Sequence, residues 1–226
     1  DPDNRVNAFH MAGNELAIPC RAFAGVFRRI RDELGFSRNG AHASEVAPAV
    51  DAAHAIRLPG ITRGGHLLNI AHDGRAMGDV RKRKIMVEML LTSNELLHGA
   101  RFASPGDHPI RAFFNYGIPV ALGTDDPGIM GITISHEYQK AHKNYGFSKS
   151  DLLVISANAV RYGFAPEEAR APVMELLGLF NRTHQLGVPG QIFDLAQPLD
   201  LGTVVAKRPT ARFFHGSNRP QLTPAS

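Results

Sequence analysis

Two periods of hydrophobic and polar positions alternate along the chain. Short apolar runs of the kind that form buried strands are each followed by a longer stretch in which apolar residues recur every three or four positions, as on one face of a helix. The strands predicted from the apolar runs are Val6–Met11, Asn39–His42, Ile61–His66, Ile85–Leu91 and Pro119–Thr124. No hairpin signal such as Asn-Gly joins two of them. The alternation therefore predicts an α/β fold with a parallel sheet.

The stretches with helical spacing predict amphipathic helices. They are Arg21–Leu34, Pro48–Ile56, Asp73–Lys84, Pro109–Tyr116, Ser135–Tyr145, Lys149–Tyr162 and Pro166–His184. Ser148 stands before the sixth of these with Asp151 three residues on, which is an N-cap signal with an acidic first turn. We expect residues 1–187 to form one domain. Residues 188–226 are expected to form an irregular extension, with a short ribbon at Val204–Phe214 and a frayed tail at Pro220–Ser226.

Composition narrows the class of protein. The 226 residues are 43% hydrophobic and 20% charged, as in an ordinary globular domain, and no stretch approaches the ~20 apolar residues of a membrane span. The net charge is +4, and Arg81–Lys84 is the one dense basic run. That run fits the solvated end of a helix, with a nucleic-acid patch as the alternative. We expect neither a nucleic-acid nor a membrane partner. The single cysteine excludes an internal disulfide, which is compatible with the cytosol but leaves the compartment unknown.

Polar side chains close four of the predicted strands. They are His42 and Glu45 after the second strand, His66 after the third, Thr92–Asn94 after the fourth, and Asp125 with Asp126 after the fifth. Because the carboxyl ends of parallel strands meet at one edge of a sheet, these side chains are expected to converge there. Imidazole and carboxylate groups are ligands that Zn²⁺ accepts, and further ones nearby can move protons.

Each of these residues has a structural alternative when it is taken alone. Asp125 and Asp126 precede Pro127, and Asp-Asp-Pro is also a turn sequence. A histidine after a strand is commonly a hydrogen-bonded structural residue. Glu45 could complement the dipole of the helix at Pro48–Ile56. The coincidence of such residues at four strand ends is what favours a site with chemistry.

Several motifs, taken in order, resemble those of the adenosine deaminase family. They are Phe9–Glu15 (FHMAGNE), His42–Glu45 (HASE), Thr62–His66 (TRGGH), Val87-Glu88 with Ser93-Asn94, His108-Pro109, and Gly123–Pro127 (GTDDP). The agreement extends from about residue 6 to about residue 180. The resemblance implies a zinc-dependent (β/α)₈ barrel that hydrolyses the 6-amino group of a purine nucleoside such as adenosine, giving inosine and ammonia. The five predicted strands match the last five of that barrel, so we expect a partial TIM-type barrel.

The resemblance also implies a role for each motif residue. His42 and Asp125 correspond to zinc ligands. Glu45 corresponds to the acid that protonates purine N1, and His66 to the residue that orients the attacking water. Asp126 is expected to hold that water or the ring's N7, and the backbone N–H of Gly13 to meet ring N3.

The chain departs from the family pattern at several positions. No two of its histidines are separated by one residue, although the family's first strand carries a His-x-His pair of zinc ligands. Ser44 replaces the glycine of His-Ala-Gly-Glu, Gly64 replaces a usual isoleucine, and His10 and Asn14 replace acidic residues. Two retained ligands are too few for a tight zinc site.

Three interpretations stay open. The chain is a deaminase whose N-terminal strands lie outside the given sequence, a non-catalytic relative that binds a nucleoside or a partner protein, or a hydrolase of another amide or amidine. We expect weak zinc retention. Because a barrel lacking strands exposes apolar surface, we also expect self-association or completion by the missing N-terminal segment.

Overall fold

One parallel sheet organises the part of the chain that the computed structural model describes, which is residues 6–102, 104, 106–199 and 201. Its strands are β1 (His10–Met11), β2 (Asn39–Ala43), β3 (Ile61–His66), β4 (Met86–Met89) and β5 (Val120–Leu122). Every strand pairs in parallel with its neighbour in sequence, so the order across the sheet is the order along the chain. The α/β fold and the parallel sheet are as predicted.

Helices follow every strand of the sheet. They are α1 (Ala24–Asp32), α2 (Ala49–Ala55), α3 (Gly74–Lys82), α4 (Leu91–His98), α5 (Ile110–Tyr116), α6 (Pro127–Met130), α7 (Ile134–Tyr145), α8 (Lys149–Arg161) and α9 (Glu167–Thr183). Short 3₁₀ turns lie at Cys20–Phe23, Leu68–His72, Gly99–Phe102 and Gly190–Phe193. The predicted N-cap of α8 is a full capping box, in which Ser148 and Asp151 each accept from the other's backbone N–H.

The structure corrects several of the predicted elements, and the strand predicted at Pro119–Thr124 is Val120–Leu122. β1 is only His10–Met11 rather than Val6–Met11, and the first helix begins as a 3₁₀ turn at Cys20–Phe23. The strand predicted at Ile85–Leu91 is Met86–Met89, and Leu91 already belongs to α4. Leu90 and Leu91 carry the apolar run across the boundary between β4 and α4, and the first turn of α4 is buried like the strand. The sequence pattern therefore shows no change at this boundary.

Register and glycine placement bring two histidine rings against the backbone of the neighbouring strands. His42 of β2 lies beside Gly65 of β3, and His10 of β1 beside Gly40 of β2. A Cβ at position 65 would stand 2.1 Å from the His42 ring, and one at position 40 would stand 2.7 Å from the His10 ring. Only glycine leaves room for those rings at these two positions.

The core lies between the sheet and the helices, and it continues past residue 187. The side chains of Val188, Ile192, Leu199 and Leu201 are buried in it. The beginning of the predicted extension is therefore irregular in conformation but packed on the domain. The predicted ribbon at Val204–Phe214 and the tail at Pro220–Ser226 lie outside the described residues. Among the described helices, none combines the length and the apolar character that crossing a bilayer requires.

Candidate active site

The backbone is strained at the carboxyl ends of the strands. Ser44, His66, Leu67 and Asp125 adopt left-handed conformations, with φ values of 53°, 61°, 48° and 57°. Residues other than glycine adopt this conformation at a cost in energy, and such residues cluster at functional sites. Here they follow or end β2, β3 and β5. The strain thus lies where the sequence predicts the site.

His42, His66 and Asp125 form a compact cluster at this edge of the sheet. One ligand atom of each lies within 4.8 Å of the others. His66 Nε2 is 3.1 Å from His42 Nδ1 and 3.9 Å from Asp125 Oδ2, and Ser93 Oγ donates to that oxygen at 2.6 Å. The imidazole of His42 and the carboxylate of Asp125, which Ser93 holds by a hydrogen bond, are ligand types that zinc accepts.

A buried chain of hydrogen bonds fixes the proton positions on the imidazoles. The backbone N–H of Ile110 donates to His108 Nδ1 at 3.2 Å, so the ring proton of His108 is on Nε2 and is donated to Asn94 Oδ1 at 3.1 Å. The amide nitrogen of Asn94 then donates to His66 Nδ1 at 2.9 Å. His66 consequently carries its proton on Nε2, which faces His42.

Burial keeps the two inner histidines of this chain neutral. It lowers the pKa of His66 to about 3, with His42 adding to the shift and Asp125 opposing it. It also lowers the pKa of His108 to about 3, and the nearby cations of Arg101 and Lys140 act in the same direction. A neutral His66 with its proton on Nε2 is a hydrogen-bond donor toward the cluster and a weak base.

Glu45 lies beside the histidine cluster. Its Oε1 is 3.3 Å from His98 Nε2 and 3.6 Å from His66 Nδ1. Burial raises the pKa of Glu45, His98 opposes this, and the negative charges of Asp125 and Glu15 add to it. A carboxyl group in these surroundings holds its proton to a higher pH than an exposed glutamate does.

A cavity of about 400 Å³ opens in front of the cluster. His42 and Asp125 line it together with His10, Arg63 and Glu88. His10, His42 and Glu88 form a second group of possible metal ligands. However, Arg63 Nη2 donates to Glu88 Oε1 at 2.9 Å, and a guanidinium at that distance disfavours a cation there. A cavity of about 420 Å³ elsewhere lies near the amino-terminal ends of β4 and β5, away from these residues.

The structure brings four of the predicted site residues together, namely His42, Glu45, His66 and Asp125. The two other predicted residues are exposed to solvent. Asp126 is exposed and precedes α6. Gly13 is exposed in the loop after β1, with φ at 139°. Four residues with no predicted role support the site. Ser93 and Asn94 donate to Asp125 and His66, His98 lies against Glu45, and His108 donates to Asn94. Ser93, Asn94 and His108 lie within the motifs that resemble the family, and this is the sequence signal that could have identified them as site residues.

Comparison with known proteins gives consistent matches. The family model described as Adenosine deaminase matches residues 2–178. The adenosine deaminase of Shewanella loihica is 37% identical over 163 residues, which are 72% of this chain and 48% of the relative. That of Erwinia tasmaniensis is 37% identical over 168 residues, 74% of this chain and 49% of the relative. The chain thus spans about half the length of these curated relatives.

Solved structures show the same fold. An adenine deaminase from Arthrobacter aurescens matches with a TM-score of 0.71 at 21% identity, over 78% of this chain and 53% of its own. An amidohydrolase from Burkhoderia ambifaria, solved with bound Zn, matches with a TM-score of 0.70 at 20% identity, over 80% of this chain and 50% of its own. These likenesses confirm the fold class of a partial TIM-type (β/α) barrel.

Proposed function

Since the chain belongs to the adenosine deaminase family, we propose that it carries the C-terminal barrel portion of a zinc-dependent deaminase that converts adenosine to inosine and ammonia. The observation that carries this proposal is the cluster of His42, His66 and Asp125 with Glu45 beside it. Purine hydrolysis at C6 needs a nucleophile, an acid for ring N1 and a donor that orients the nucleophile. The cluster offers residues for each task.

His42 and Asp125 are the residues proposed to hold zinc. Zinc lowers the pKa of the water that it binds toward ~7 and so supplies a hydroxide nucleophile at neutral pH. A tight site takes about three protein ligands. Since no His-x-His pair occurs in the 226 residues, we propose that the other ligands come from strands beyond β1–β5. The half-length coverage of the relatives supports this.

Glu45 is the proposed acid. Its raised pKa favours the protonated carboxyl, which can donate to purine N1 and make C6 more electrophilic. His66 presents Nε2–H and is suited to orient the nucleophile by donating a hydrogen bond. Gly13 N–H is proposed to meet ring N3, and Asp126 to hold the water or ring N7. Both residues are exposed, so a substrate can reach them.

A second candidate function is a nucleoside-binding protein without catalysis. It is favoured by the missing His-x-His pair and by Ser44, which stands in a left-handed conformation where the family has glycine. In that case the chain binds purine nucleosides and releases no ammonia under any zinc supply.

The deciding experiment measures ammonia release from adenosine. The chain is assayed alone and joined behind the amino-terminal half of the Shewanella loihica relative, each with zinc. We expect activity in the joined protein, and we expect Glu45→Gln to lower kcat by ~10²-fold or more with little change in substrate binding. Near-normal deamination by Glu45→Gln would contradict the proposed mechanism. A folded, nucleoside-binding but inactive joined protein would favour the second candidate.

A further inference from the structure

Glu45 stands in a loop that lacks regular structure of its own. The loop joins β2, which ends at Ala43, to α2, which begins at Ala49. It opens with Ser44 in a left-handed conformation at φ 53°. A carboxyl group on such a segment keeps a fixed position only if other contacts hold the loop backbone.

The carboxylate of Glu15 makes those contacts. Its Oε2 accepts from the N–H of Ser44 at 2.5 Å, and its Oε1 accepts from the N–H groups of Val46 and Ala47 at 2.5 Å and 2.9 Å. These backbone donors flank Glu45 on both sides. A carboxylate suits this arrangement, because it has two acceptor oxygens and its charge strengthens hydrogen bonds from N–H groups.

Glu15 itself belongs to the loop that carries Gly13. Asn14 stiffens this loop, because its Oδ1 accepts from the N–H groups of Leu16 and Ala17. The loop after β1 and the loop after β2 are thus joined through one side chain. One loop carries the N–H proposed for purine N3, and the other carries the carboxyl proposed for purine N1.

We propose that Glu15 is a positioning residue that sets the distance between Gly13 and Glu45, and so allows one purine ring to be contacted at N3 and N1 together. This inference rests on the proposed function for its purpose, but the hydrogen bonds that it invokes are independent of it. Asn69 supports the same loop from the other side, since its Nδ2 donates to the carbonyl of Ala47 at 2.7 Å.

Hydrogen exchange on the 226-residue chain tests the contacts. In Glu15→Gln the side chain keeps one acceptor oxygen and gains a donor that faces backbone N–H groups. We expect exchange at the amides of Ser44, Val46 and Ala47 to accelerate about tenfold or more, since a lost charge-assisted hydrogen bond opens them. The amide of Thr92, which donates to Glu137, is the internal reference and stays unchanged. Glu33→Gln, on an exposed ion pair with Arg29, is the matched control.

If Glu15→Gln does not fold, Glu15→Asp replaces it, because it keeps both oxygens on a shorter side chain and is expected to accelerate the same amides to a smaller degree. Unchanged exchange at the three amides in a folded variant overturns the proposal. Acceleration confined to them supports it.

Binding of purine riboside and 1-deazapurine riboside, with zinc present, tests the purpose. We expect removal of N1 to weaken binding by the parent chain about tenfold, as for one hydrogen bond. In Glu15→Gln this ratio should fall toward one, with affinity for the 1-deaza compound kept. A merely structural role lowers both affinities and keeps the ratio, which would overturn the positioning role. If the parent chain binds neither riboside, the same two affinities are measured in the joined protein, where an unchanged ratio in Glu15→Gln overturns the positioning role. If the joined protein also binds neither riboside, the proposed purine site is wrong, and the exchange result alone then judges the contact.

Discussion

Left-handed residues occur in two regions of this molecule, and the residue types differ between them. At several helix ends the conformation belongs to glycine, as at Gly117, Gly131 and Gly146, which follow α5, α6 and α7. At the strand ends it belongs to Ser44, His66 and Asp125, among others. Lys84 and Gln185, each two residues after the last residue of α3 and of α9, are exceptions at helix ends. Glycine adopts the left-handed conformation at little cost in energy, whereas the residues at the strand ends keep their side chains despite the strain.

The difference indicates that the two regions answer to different requirements. Helix ends need only to close backbone hydrogen bonds, and any residue that allows the turn serves. The strand ends must direct imidazole and carboxylate groups to one point, and the neighbouring contacts hold the strained backbone in place. Changes at the two regions should therefore differ in direction and size.

The largest effect is expected from Gly65→Ala. The added Cβ would meet the His42 ring at 2.1 Å, so either the ring or the strand must move. We expect a loss of about 3 kcal/mol in the free energy of unfolding, at the upper end of overpacking. Gly74→Ala in α3, where a Cβ meets nothing within 4 Å, is the control and should leave stability equal or slightly higher. Urea denaturation of both variants checks this, and equal stabilities would remove the packing argument for His42.

The next effect is a dependence of stability on pH from His108. Its folded pKa of about 3 lies below the ordinary value of 6.5, so the fold favours the neutral ring. The contribution of neutral His108 to the free energy of unfolding is complete above pH 6.5 and is lost as the pH falls toward 3. The loss amounts to ~2 kcal/mol at pH 5. His66 and His10, whose pKa values are also lowered, add to this loss. His108→Gln can still donate to Asn94 and should show the shallower decline. Parallel pH profiles would contradict the buried neutral assignment.

A smaller effect separates strain from hydrogen bonding at Ser44. Ser44→Ala keeps the left-handed strain and loses the bond from Oγ to the Ala47 carbonyl. Ser44→Gly loses the same bond and relieves the strain. We therefore expect the glycine variant to be more stable than the alanine variant by about 1 kcal/mol. At Gly146, with φ at 66°, the matched change to alanine should cost about the same amount. Thermal unfolding of the three variants tests the comparison. Equal stabilities of Ser44→Ala and Ser44→Gly would contradict it.

The fold could largely be predicted because its signals are local. Alternation of apolar runs and helical spacing fixes the strands at Asn39–Ala43 and Ile61–His66 closely. The boundary near Leu91 could not be predicted, because α4 is buried at its start and apolar residues continue from strand to helix. The periodicity of apolar residues does not reveal the boundary between two elements when both are buried at that boundary.

The site was predictable only in part for a similar reason. Polar residues directly after strands, such as His66 and Asp125, are visible in one sequence because the sheet edge collects them. Asn94 and Glu15 act through partners 28 to 32 residues away. Their roles depend on loop conformation and on the packing of α4, which periodicity does not determine.

Zinc titration of the 226-residue chain against a chromophoric chelator tests the central claim most directly. We expect one weak site. Asp125→Asn and His42→Asn should reduce its affinity by more than the roughly 10- to 100-fold that a change outside the ligand set costs. His10→Asn, on the neighbouring group with Glu88, is the control and should retain zinc like the parent. Loss of zinc in His10→Asn with retention in Asp125→Asn would contradict the account and move the metal to the other group.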